Sequence, residues 1–179
     1  WSFDEGQGEV ARDLTGHGHD AALQHTTWVT SPRGGALRFD RQDALAEYAH
    51  VETMNLSGDL TLAVWVRTSG FEGQKTYRLI FGDNGLGVER NVSLGLSTYG
   101  FLRFEWADGT RNAELLAPET LLTGAWQQVV VSADSTHQQV TMYVDAEPVA
   151  QRPMPFPISP APTRHRTTGW FYIGWFNGD

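Results

Sequence analysis

Cysteine is absent from the 179 residues. Disulfides, thiolate metal sites and thiol nucleophiles are excluded with it, although secretion is not. Long apolar runs are absent too, since no segment approaches the ~20 residues of a helical membrane span, and no basic-then-apolar signal opens the chain. Basic charge is in deficit, with 13 Lys and Arg against 21 Asp and Glu for a formal charge of −8. That balance argues against nucleic acid as a partner, because phosphates call for a basic surplus, and net charge gives no help with strongly anionic polysaccharide. Helical periodicity is nearly missing, and no serine, histidine and aspartate arrangement of the nucleophile-elbow type occurs.

What is present suffices for a core: 40% of residues are hydrophobic and 12% aromatic. The length fits one domain over residues 1–179. The chain opens on Trp1 without an initiator methionine, which reads as a processed piece of a longer protein.

Short alternating runs recur between Gly, Asn, Asp and Pro, the pattern of an all-β chain. Leu60, Leu62, Val64 and Val66 point one way and Thr61, Ala63 and Trp65 the other, so both faces are apolar and the strand is expected at the centre of a sandwich. Asn91–Thr98 with Phe101–Trp106, and Gln139–Asp145 with Glu147–Ala150, read as hairpins. Trp126–Ala133 is a further strand, turning at Asp134–His137. Gln151–Gly169 carries five prolines and is expected as a long extended loop at the sandwich rim, followed by a last strand Trp170–Gly174.

Six segments carry a resemblance. Trp1–Gly6, Asp13–Asp20, Gly34–Asp40, Leu60–Val66, Gly124–Val131 and Val140–Asp145, in this order, are similar to the laminin G-like group of concanavalin A-like jelly rolls. The resemblance runs the length of the chain and implies a two-sheet antiparallel β-sandwich. The family usually has Asp-Gly where this chain has Asp145-Ala146, and alanine tolerates positive φ poorly. The family also usually adds a strand after Trp170–Gly174, which is missing here, so either the chain is cropped or that sheet edge is completed another way.

The resemblance implies a structural calcium at the Asp13–Asp20 turn, held by Asp13, Asp20 and the carbonyl of Gly16, since calcium takes six to eight oxygens. His17 and His19 stand where asparagines are common and offer calcium only backbone carbonyls. The alternatives are a glycine-rich turn whose Asp13 caps its own amides, and a zinc site of His17, His19 and Asp20. Glycosidases of this fold need two carboxyls about 5 Å apart on one strand face. The nearest approach is Glu105 and Asp108, whose spacing of three puts them on opposite faces, so the domain reads as non-catalytic.

Trp1, Trp28, Trp65, Trp106 and Trp126 are expected in the core. Trp170 and Trp175 flank the last strand beside the proline-rich loop and its Arg164-His165-Arg166 cluster. An aromatic face stacks on a pyranose while arginine donates to its hydroxyls or carboxylates, so Trp170, Trp175, Arg164 and Arg166 are the candidate ligand-binding residues; the alternative is that both tryptophans pack the loop onto the sandwich. Tyr77, Arg78 and Tyr99 fall at other turns. The sequence therefore predicts a carbohydrate-binding module of a larger secreted, periplasmic or cell-surface protein, with glycan and the other domains of that protein as partners. A protein-interaction or spacer domain is the alternative, and a glycan-processing enzyme the third reading, to be revived by two carboxyls facing one cleft.

Overall fold

The computed structural model describes residues 1–40, 44–48, 56–68, 77–83, 91–97, 99–121, 124–159 and 171–176. In chain order its strands are β1 (Val10–Ala11), β2 (Ala21–Gln24), β3 (Thr27–Ser31), β4 (Gly34–Arg38), β5 (Leu45–Tyr48), β6 (Leu60–Arg67), β7 (Arg78–Asp83), β8 (Val92–Leu96), β9 (Phe101–Ala107), β10 (Asn112–Thr120), β11 (Trp126–Asp134), β12 (Gln139–Val144), β13 (Glu147–Pro153) and β14 (Phe171–Phe176). They form an eight-stranded sheet in the order β1-β2-β5-β14-β7-β8-β9-β10, a four-stranded sheet in the order β13-β12-β11-β6, and the β3-β4 hairpin. Every pairing is antiparallel, and no helix forms among the described residues. The expected hairpins β8-β9 and β12-β13 are in place.

Period-two patterning sets which side of each sheet is dry. On β11, Val129, Val131 and Ala133 are buried, while Gln128, Val130 and Ser132, alternating with them, are only half-buried. On β9, Leu102, Phe104 and Trp106 point inward with Val92, Leu94 and Leu96 of β8 beside them, and the Phe104 and Trp106 rings stack at 5.7 Å. These residues meet Val140 and Met142 in one hydrophobic cluster between the sheets. Trp1 packs against this cluster and against a smaller one around Ala11, Ala21 and Ala46.

Two expectations need correction. The strand Leu60–Arg67 is not central: among the described strands β6 pairs with β11 alone, at the end of the four-stranded sheet. Its second apolar face has another explanation, for Trp65 is half-buried beneath the Arg33 guanidinium, 3.6 Å above its ring. The proline-rich segment is not a rim loop from its start. Gln151–Pro153 complete β13, an edge strand where a missing donor is tolerated, and beyond it Met154, Phe156 and Ile158 are buried while Pro155 and Pro157 face out. Proline alternates with core residues, so the run lines the interior. Met154 N donates to Gln138 O at 2.7 Å, Gly58 N to Ile158 O at 3.0 Å, and the Trp106 indole to Phe156 O at 3.3 Å. Buried Asn91 ties the neighbouring segments, accepting from Leu56 N and donating to Leu56 O and Ser159 O.

The β12-β13 turn places Asp145 at φ 51° and Ala146 at φ 71°, so alanine does occupy a left-handed position there.

Candidate functional site

The eight-stranded sheet has one face on the core and one directed away from the four-stranded sheet. Register across it aligns Glu47, Tyr172, Gly82, Ser93, Glu105 and Glu114 in one row over β5, β14, β7, β8, β9 and β10. Inward-facing Ala46, Leu94, Phe104 and Leu115 alternate with this row, which assigns it to the outer face. A second row joins Trp175, Leu79, Gly95, Arg103 and Leu116.

Polar side chains on these rows, together with Tyr77 just before β7, form a connected ladder. The Tyr77 hydroxyl lies 3.2 Å from Ser93 Oγ, which donates to Glu105 Oε2 at 3.3 Å. Arg103 Nη2 meets Glu105 Oε1 at 2.9 Å, and its Nε donates to Glu114 Oε2 at 2.7 Å. The guanidinium also stands 5.7 Å from the Tyr77 ring centroid. Glycine is required beneath the tyrosine, since a Cβ on Gly95 would sit 2.6 Å from the Tyr77 hydroxyl. Glu105 and Ser93 are buried at the base of the ladder and Glu114 is exposed at its end. Tyr99, 79% exposed, continues the face at the β8-β9 turn with its ring 6.4 Å from Phe101. Arg78 begins β7 opposite Leu96, and burial lowers its guanidinium pKa.

Sequence reading missed the Glu105–Glu114 pair because it compared carboxylates along one strand, whereas these are direct partners across two. The signal was there in period two: Arg103 and Glu105 on β9, Glu114 and Leu116 on β10, joined by the Asp108–Arg111 turn. In that turn Asp108 Oδ1 accepts from Thr110 N at 2.9 Å and Arg111 N at 2.8 Å. The pair does not make a glycosidase centre, since the Arg103 guanidinium bridges the two carboxylates where a glycosidic oxygen and a water would need room.

Of the predicted ligand-binding residues, Trp175 lies on β14 in register with Leu79. Trp170, Arg164 and Arg166 lie outside the described residues.

At the Asp13 turn, Asp13 Oδ1 accepts from Thr15 N at 2.8 Å and Thr15 Oγ1 at 2.6 Å, and Oδ2 accepts from His19 N at 3.0 Å. Asp20 Oδ1 accepts from Asp13 N at 2.8 Å and Oδ2 from Arg12 Nη1 at 2.6 Å. These donors lower both carboxyl pKa values, Asp13 chiefly through the Thr15 hydroxyl and Asp20 chiefly through the Asp13 amide. The arrangement does not fit a calcium ion, because all four carboxylate oxygens face protein donors and a guanidinium already neutralises Asp20. Zinc fits no better: Asp20 is engaged in the same way, and His17 Nδ1 lies 2.7 Å from Thr15 Oγ1.

A second polar site lies at one end of the four-stranded sheet, a groove of about 290 Å³ lined by Asp59, Leu60, Thr61, Ser132, Ala133 and Asp134. Asp59 Oδ1 accepts from both the amide and the hydroxyl of Ser135, while His137 Nδ1 lies 2.7 Å from Asp134 Oδ2. The hydroxyl and the imidazole are thus engaged by different carboxylates, unlike an activated nucleophile. Hydrogen bonding to Asp134 raises the His137 pKa, and the Ser135 hydroxyl lowers that of Asp59.

A family model described as the concanavalin A-like lectin/glucanases superfamily, of the laminin G-like type, matches residues 40–179. The chain belongs to this superfamily. No protein of curated function matches the domain in sequence. Among solved structures, this concanavalin A-like domain is similar to domain 4 of an extracellular GH43 arabinanase from Geobacillus stearothermophilus, in complex with arabinotriose, at 13% identity and a TM-score of 0.64 over 98% of this chain and 82% of that one. It is similar to a Trypanosoma rangeli sialidase at 16% identity and a TM-score of 0.60, covering 98% of this chain but 26% of the sialidase. The CBM40 module of a Ruminococcus gnavus sialidase matches at 12% identity and a TM-score of 0.50, over 83% of this chain and 77% of the module. At these identities the likeness is one of fold.

Proposed function

We propose that this domain is a non-catalytic carbohydrate-binding module whose ligand lies on the outer face of the eight-stranded sheet. The observation that carries the reading is the Tyr77–Ser93–Glu105–Arg103–Glu114 ladder, a convergent set of donors and acceptors beside an aromatic ring, on the sheet face turned away from the core. Polar groups whose orientation is fixed by one another recognise hydroxyls at little entropic cost. Similar folds, one in complex with arabinotriose and one bound to α2,3-sialyllactose, support the ligand class. The bridging Arg103 supports binding without catalysis.

Trp175 is in register with Leu79 on β7, and Trp170, Arg164 and Arg166, close to it in sequence, form a second arm of the proposal. The module serves a secreted or surface protein; no helix among the described residues is long and apolar enough to cross a membrane. The amides of Thr15 and His19 on the Asp13 carboxylate support a turn that caps itself rather than a calcium site. Affinity electrophoresis of native protein beside Tyr77→Ala, Trp170→Ala and Trp175→Ala on a polysaccharide panel tests the site. Retarded native protein with an unretarded Tyr77→Ala is expected. Retention unchanged in all three variants would remove the site, and no binding at all would leave a protein-interaction or spacer domain.

A further inference from the structure

We infer that the outer face selects neutral, hydroxyl-rich glycans and rejects carboxylated ones. The inference rests on the binding-module reading. Its ground is the charge arrangement: among the described residues of that face, three carboxylates, Glu47, Glu105 and Glu114, stand against one guanidinium, Arg103.

That guanidinium is already committed. Recognition of a sugar carboxylate calls for an arginine fork presenting two parallel N–H groups. Arg103 spends Nη2 on Glu105 at 2.9 Å and Nε on Glu114 at 2.7 Å. A uronate or sialate approaching it would meet Glu114, 51% exposed on its side chain, within a few ångströms. Like charges at that separation repel substantially even near water. A neutral sugar meets the opposite situation, because ionised carboxylates only accept hydrogen bonds and sugar hydroxyls donate them. Glu114, the exposed carboxylate that repels an acidic ligand, is therefore also an acceptor for a neutral one, with Gln24 Nε2 on Glu47 Oε2 at 3.1 Å as an amide partner farther along the row.

Isothermal titration of native protein and Glu114→Gln against neutral oligosaccharides (arabinan, xylan, mannan and β-glucan fragments) and acidic ones (oligogalacturonate, sialyllactose) tests this. Native protein is expected to bind at least one neutral ligand, and every acidic ligand at least tenfold more weakly. Neutral binding should change less than about twofold between low and high salt. Glu114→Gln, at an exposed position that leaves the core intact, should weaken neutral binding by up to about tenfold and narrow the gap to acidic ligands. Acidic ligands bound as tightly as neutral ones by native protein overturn the selectivity while leaving the module reading intact. If that acidic binding is lost in Arg164→Gln or Arg166→Gln, those arginines set the selectivity instead. No binding to either class overturns both.

Discussion

Replacing Ala146 by glycine should stabilise the protein, and the size of the gain follows from the β12-β13 turn. Asp145 and Ala146 form a two-residue connection with φ of 51° and 71°, between Val144 and Glu147, which are direct partners. This is the geometry that favours Asp-Gly, because both central residues take positive φ. A side chain held in the left-handed region costs about 1–2 kcal/mol. Glycine removes that cost but gives the unfolded chain more freedom, which opposes the gain by about 0.4–1 kcal/mol. The net expectation is about 0.5–1 kcal/mol of stabilisation. Asp145 is untouched, and its carboxylate still accepts from Gln128 N at 2.8 Å and Gln127 Nε2 at 3.2 Å. For a domain of this size the gain corresponds to a Tm rise of about 1–4 °C, readable by calorimetry. Ala146→Val, which adds a β-branch in the same conformation, should lower Tm. A fall or no change in Tm for Ala146→Gly, with cooperative unfolding preserved, would refute the strain argument.

Phe156→Ala should cost about 3–5 kcal/mol in chemical denaturation, whereas Pro155→Ala should fall within about 1 kcal/mol; similar small effects for both would return this segment to the surface. Native protein should melt identically with calcium and with chelator, and a calcium-dependent rise in Tm would contradict the hydrogen-bonded account of the Asp13 turn. Because the folded Asp13 pKa is depressed, its contribution is full above the ordinary value of 3.8 and is lost as pH falls through the folded value. The Tm difference between native and Asp13→Ala should therefore shrink in strong acid, and a constant difference would count against it. For His137, whose folded pKa is raised, the contribution is full below the ordinary 6.5 and disappears as pH rises through the folded value. Native minus His137→Ala should accordingly be larger at pH 5.5 than at pH 8.5, and the reverse order would contradict the Asp134 pairing.

The β-sandwich was legible because its signal is local. Val129, Val131 and Ala133, or Leu102, Phe104 and Trp106, announce a strand and its buried side without reference to anything distant. The placement of β6 was not legible, because an apolar outer face looks the same whether a neighbouring layer or Arg33 covers it. The buried run Met154, Phe156 and Ile158 was masked by Pro153, Pro155 and Pro157, which argue against a sheet interior but not against an extended segment with one face inside. The Asp13 cap was visible as one of several readings, and its hydrogen bonds to Thr15 N and His19 N appear only once the turn is folded. The outer-face ladder was hidden for a different reason. Glu105 and Glu114 are nine residues apart, and only the register of β9 against β10 brings them together.

The binding face is tested most directly by following the amide and side-chain NMR signals of the native domain during titration with a neutral oligosaccharide it retains. The account predicts that the largest shifts cluster at Tyr77, Ser93, Arg103, Glu105 and Glu114. Shifts confined to the Asp59–Asp134 groove or to the outer face of the four-stranded sheet, with the ladder unmoved, would contradict it.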